Sequence, residues 1–156
     1  MQKRLLIIGS LDEFVELVKE AKSRGIYTVV CDGYHNSPAK QIADKSYDIN
    51  IRNVDEIVKM CQEEKINGIM GSFSDLIFEQ ICQIADKAGL KWYVKPEMLP
   101  YYREKTTAKA LFHKLGINTS KNIELKSDFT DDMLDGFKFP LVIKPVNGYG
   151  SKGIYV

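Results

Sequence analysis

Residues 139–156, F-P-L-V-I-K-P-V-N-G-Y-G-S-K-G-I-Y-V, hold the side chains best suited to chemistry in this 156-residue chain. An apolar run ends in one cation, Lys144, and a glycine-rich loop follows. Gly148, Gly150 and Gly153, with Tyr149 and Ser151 among them, let backbone N–H groups approach phosphate oxygens because no Cβ stands in the way. Lys144 would add a point charge to the same anion. An ordinary glycine-rich hairpin would carry the same glycines, so the loop alone leaves both readings open. A Walker loop and a dinucleotide G-x-G-x-x-G loop both run into a helix, whereas this loop lies between two predicted strands.

A second cation, Lys105, opens a helix predicted over 104–115. Ala108, Leu111, Phe112 and Leu115 form its apolar stripe, and Gly116 ends it. By itself Lys105 is an ordinary solvated helix lysine. His35 and His113 have no cysteine, histidine or carboxylate at ligand spacing, so the sequence predicts no metal site. No Ser-His-Asp or Cys-His arrangement stands out either. Asp128, Asp131, Asp132 and Asp135 read as a solvated, well-capped short helix. Cys31, Cys61 and Cys82 are odd in number and sit in apolar stretches, which suits buried thiols in a reducing cytoplasm.

The elements that must position these residues follow from hydrophobic period. Leu5–Ile8 is a continuous apolar run, as expected of a strand covered on both faces. Leu11, Phe14, Val15, Val18 and Ala21 then make a helical stripe closed by Gly25. Further strands are predicted at 27–31, 47–51, 66–70 and 92–94, with helical segments at 39–44, from Val54 to Cys61 and after Ser74 as far as Gly89. This alternation predicts a parallel sheet with crossover helices, an α/β domain over 1–95. After Pro96 the rhythm changes: strands are predicted at 121–126 and 139–144, with a short helix at 130–135, so 96–156 reads as a separate segment. Acidic and basic residues nearly cancel, 21 against 22, so no bulk field favours nucleic acid or an anionic membrane. No segment is long and apolar enough to span a bilayer, and the N-terminal apolar run is too short for a signal peptide.

These segments resemble the ATP-grasp superfamily. P-L-V-I-K-P followed by G-x-G-S-x-G is similar to its small lobe, where a strand lysine and the glycine loop hold ATP phosphates. The stretch R-E-K-T-T-A-K-A-L-F-H-K-L-G-I-N-T resembles the helix that carries the family's other ATP-contacting lysine, with Glu104-Lys105 in place of the usual Asp-Lys. Pro38, Ala39, Ala43 and Asp44 match the P-A-x-x-x-A-D stretch of carbamoyl-phosphate synthase and biotin carboxylase relatives. The resemblance implies a Rossmann-like pre-ATP-grasp domain over 1–95, then a linker helix and an incomplete α+β small lobe over 96–156. It assigns Lys105, Lys144, Gly148, Tyr149, Gly150, Ser151 and Gly153 to ATP. Gly9, Ser10, Asp32, Ser72 and Phe73, at the carboxyl ends of strands, fall on the acceptor-substrate side of the cleft; small polar residues also simply begin turns and helices, so that reading stays open.

The implied cofactors are ATP and Mg2+. The implied reaction passes the γ-phosphate to a small carboxylate, forming an acylphosphate that an amine or other nucleophile attacks. The family's metal ligands, a Glu and a Glu-x-Asn pair, and its adenine hinge come after the glycine loop. Residues 1–156 are therefore expected to be the N-terminal fragment of a cytoplasmic ligase, inactive alone and holding ATP weakly. An unpaired strand edge near 154–156 is expected to move or to pair with another copy in a homodimer. The alternative is a free-standing Rossmann-like module that binds a small ligand or a partner. That alternative predicts a stop codon after Val156, whereas the ligase predicts a reading frame continuing through E-x-N.

Overall fold

A computed structural model of the chain describes residues 2–71, 74–146 and 152–156. Two compact units are present, Met1–Glu97 and Met98–Val156.

The first unit is built on four parallel strands, β1 (Arg4–Ile8), β2 (Tyr27–Cys31), β3 (Lys45–Tyr47) and β4 (Gly68–Met70), in the order β3-β2-β1-β4. Helices α1 (Val15–Ser23), α2 (Pro38–Ile42), α3 (Val54–Glu63) and α4 (Asp75–Ala88) connect or follow them. Successive strand residues point to opposite faces, and both faces are covered. Leu6, Ile8, Val29 and Cys31 join Ile57, Cys61, Ile81 and Ile84 in one core, while Ile7 and Val30 join Phe14, Val18 and Ala39 in the other. This double covering explains why β1 and β2 are continuous apolar runs rather than alternating ones. Each fully buried Ile or Leu contributes about 1.5–3 kcal/mol.

Helix ends follow local chemistry. Gly25 and Gly89 are left-handed, with φ of 69° and 67°, and terminate α1 and α4. Asp44 of the Pro38–Asp44 stretch is a staple: its Oδ2 accepts bonds from the Thr28 amide and hydroxyl, each 2.8 Å, and Lys22 lies 3.1 Å from its other oxygen. Burial pushes its pKa up, but these donors outweigh burial and hold it below the usual carboxylate range.

Glu64, just past α3, is a second staple. It accepts from Arg4 Nη2 at 2.6 Å, the Tyr47 hydroxyl at 2.6 Å and the Lys45 ammonium. Bonds from Lys45 and then Tyr47 hold its pKa low against partial burial. A depressed carboxylate contributes stability above its unfolded pKa of about 4.3 and loses it as pH falls through the lowered folded value. Glu64→Gln should therefore cost about 1–3 kcal/mol in urea unfolding at pH 7. Parent and variant should converge at acid pH, and a gap that persists there would show that packing, not charge, sets the loss.

The sequence misplaces several elements. The strand predicted at 47–51 lies at Lys45–Tyr47, because the register runs Val29 to Lys45 and Cys31 to Tyr47. The segment 92–94 is not a strand; Trp92 and Tyr93 stack at 4.4 Å beside Phe78, and the Val94 carbonyl accepts from Cys82 Sγ at 3.3 Å. Val94 is buried and Trp92 half-buried against the core beside α4, while Tyr93 stays exposed, so burial is met without strand pairing.

The second unit holds α5 (Leu99–Arg103), α6 (Lys105–Lys114) and a 3-10 turn at Asp131–Leu134. Residues 121–126 form no strand, and of 139–144 only Ile143 pairs, in an antiparallel bridge to Tyr155. None of its described residues is buried. Without a buried face, alternating hydrophobicity has nothing to fix it as a sheet. Among the described residues, no helix is long and apolar enough to cross a membrane.

Candidate functional site

Within the second unit, a cavity of about 640 Å3 is lined by Lys105 and Lys109 of α6, by Lys121, Lys144 and Gly153, and by apolar residues including Ile123 and Phe137. Lys105 is the first residue of α6, and Lys109 follows one turn later on the same helix face. The Lys105 ammonium donates to the Val146 carbonyl at 3.2 Å, which brings it to the segment entering the glycine loop. Ile143 and Tyr155 exchange both N–H···O bonds, at 2.8 and 2.9 Å, and so close that loop at its base. Gly153 has φ of 71°, and a Cβ there would lie 3.0 Å from the Pro145 ring. Three residues assigned from the sequence, Lys105, Lys144 and Gly153, thus meet at one cavity. Gly148, Tyr149, Gly150 and Ser151 lie outside the described residues.

The polar environment is unusual in one respect. Lys109 donates to the Ser120 carbonyl at 2.7 Å and to its hydroxyl at 2.9 Å, and Lys121 donates to the Asp135 carbonyl at 3.2 Å while resting 4.4 Å from the Phe137 ring centre. Lysines of the first unit, such as Lys22, Lys40, Lys45 and Lys87, pair with carboxylates. Among the described residues, none of the four cavity lysines has a carboxylate within salt-bridge distance. Their charge fits an anionic ligand. Lys109 and Lys121 were not singled out in the sequence; the i, i+4 spacing from Lys105 was the available signal for Lys109, and only the fold brings Lys121 in.

At the carboxyl edge of the sheet in the first unit, Gly9 donates to the Cys31 carbonyl at 3.1 Å, so Gly9-Ser10 and Asp32 follow adjacent strands. Ser10 is fully buried, and its hydroxyl has no partner among the described residues. Asp32 is shaped by its own turn: its carboxylate accepts from the Tyr34 amide at 3.2 Å and its carbonyl from Lys40 at 2.7 Å. Lys40, almost wholly enclosed, also reaches the Tyr34 carbonyl and Asp48, while His35 Nδ1 lies 2.6 Å from the other Asp48 oxygen. No local pattern announces this lock. Ser72 and Phe73 lie outside the described residues.

The three cysteines are free and buried. Burial pushes the Cys31 thiol up to about 12 and the Cys61 thiol to about 11, and raises Cys82 as well, so none is a nucleophile at neutral pH. Among the described residues, no group of three His, Cys, Asp or Glu side chains could hold a metal ion.

The parallel sheet with helices on both faces is that of the N-terminal domain of ATP-grasp enzymes. The chain belongs to the family described as PylC-like, N-terminal domain, which matches residues 5–91. Among curated relatives, the formate-dependent phosphoribosylglycinamide formyltransferase of Bacteroides fragilis is 25% identical over 153 residues, covering 97% of this chain and 39% of its own. Two solved structures share the fold. The phosphoribosylglycinamide synthetase of Anaerococcus prevotii has a TM-score of 0.75 at 24% identity, over 99% of this chain and 38% of its own. An ADP complex of a carboxyaminoimidazole ribonucleotide synthetase has a TM-score of 0.74 at 21% identity, over 97% and 40%. The chain therefore spans about 39% of the length of that relative.

Proposed function

We propose that this chain is the N-terminal part of a cytoplasmic ATP-dependent ligase that activates a small carboxylate as an acylphosphate for attack by an amine or related nucleophile. One observation carries the proposal: Lys105 and Lys144, far apart in sequence, line one cavity with Gly153, and Lys105 reaches the segment that enters the glycine loop. Ammonium groups without carboxylate partners suit a polyphosphate, whose transfer depends mainly on positioning and charge neutralisation. Bound ATP would supply the phosphoryl group, with Mg2+ offsetting its charge. Lys105 and Lys144 would hold phosphate oxygens, and Gly148, Tyr149, Gly150, Ser151 and Gly153 would cover them. Gly9, Ser10, Asp32, Ser72 and Phe73 would line the acceptor side. The synthetase names of two structures with the same fold, and the ADP bound in one of them, support this reading.

The 156-residue chain by itself should be inactive and bind ATP weakly, because two lysines and a loop do not offset the entropy of ordering a nucleotide. Titration calorimetry with MgATP should give no micromolar isotherm. Tight, Mg-dependent binding would overturn this. The ligase assignment is tested by assaying the intact gene product for ADP release across carboxylate and amine pairs; a protein that binds such ligands without turnover would favour the free-standing binding module.

A further inference from the structure

We infer that Lys109 and Lys121 belong to the anion site with Lys105 and Lys144, and that the four ammonium groups together grip a polyphosphate chain independently of any base. This rests on the phosphate reading above and extends it to two lysines that neither the sequence motifs nor the glycine loop indicate.

Four cations line one cavity whose acidic lining residue is Glu124, and no ion pair offsets them among the described residues. Like charges gathered around a partly apolar space repel one another unless an anion is shared between them. The protein groups that do hold them are neutral: the carbonyls of Val146, Ser120 and Asp135 and the Ser120 hydroxyl. Each ammonium has three donors. Lys109 spends two, and Lys105 and Lys121 one each, so every one keeps a donor to offer. The same bonds aim them: Lys109 is tied to the wall at Ser120, and Lys121 is fixed by Asp135 and the Phe137 ring. Lys105 and Lys109 lie one turn apart along α6, a spacing of about 5–6 Å that a chain of linked phosphates can bridge.

The test is titration of the 156-residue chain with sodium tripolyphosphate at low ionic strength, following each lysine ε-methylene group by NMR. Lys109, Lys121, Lys105 and Lys144 should shift along one saturation curve in the millimolar range, ATP should shift the same four, and adenosine none. Lys59, exposed on α3, should stay unmoved. Lys121→Met should weaken tripolyphosphate binding about tenfold, with the amide spectrum of the first unit unchanged; Lys109→Met should do likewise, and Lys121→Met keeps the test valid where loss of the Ser120 tie unfolds α6. Shifts at Lys105 and Lys144 alone would overturn the inference and leave the phosphate reading intact. Shifts at Lys109 and Lys121 alone would overturn both the four-lysine site and the phosphate reading. Equal shifts at all lysines, or none at any, would overturn the four-lysine site.

Discussion

Gly9→Ala should lower the stability of the first unit by about 2–6 kcal/mol, the sum of backbone strain and overpacking of about 1–3 kcal/mol each. Gly9 has φ of 111°, which L side chains rarely adopt. A Cβ there would lie 2.2 Å from Phe14 Cζ and under 3 Å from two further ring atoms. Phe14 is 1% exposed and enclosed by Ile7, Val18 and Val30, so the ring has nowhere to move. For a unit of this size the midpoint should fall by roughly 10 °C or more in thermal unfolding followed by circular dichroism. Gly25→Ala is the control. Gly25 also has positive φ, but a Cβ there meets nothing within 4 Å, so strain alone remains, about 1 kcal/mol. Equal losses at the two positions would show that the Phe14 contact relaxes. Gly9 is thus explained by packing before any substrate is considered.

Lys105→Met and Lys144→Met in the intact gene product should each lower kcat/KM for ATP-dependent ligation by about 10²–10³, the usual consequence of removing one positioned donor from a developing phosphoryl charge. Methionine keeps most of the stem, so folding should change little. The double variant should lose less than the product of the two single effects, because both ammonium groups act on one phosphate chain. Lys59→Met on α3 is the matched control and should leave kcat/KM unchanged. Single variants with full activity would remove the two lysines from the site and, with them, the basis of the ligase proposal.

Much of the first unit was legible in the sequence. β1 and β2 are apolar runs because α1 and α2 cover one face and α3 and α4 the other, and the stripes Val54-Ile57-Cys61 and Ile77-Ile81-Ile84 mark the faces that do so. Gly25, Gly89 and Gly116 were legible as helix stops because their left-handed backbone excludes most side chains. The strand predicted at 92–94 failed for the opposite reason. Trp92 and Val94 have strand propensity, but propensity reports a need for burial, and α4 meets it.

The sequence by itself determined the α/β class, which follows from local period and turn chemistry, whereas it pointed to a phosphate at Lys105 only through the family resemblance. Tertiary structure alone decided which cations share a space: Lys121 and Lys144 reach the cavity of Lys105 and Lys109 only because the segments after α6 fold back beside it. It also decided that Lys40 and Glu64 are sealed by partners 6 to 60 residues away, contacts that no single-element pattern encodes.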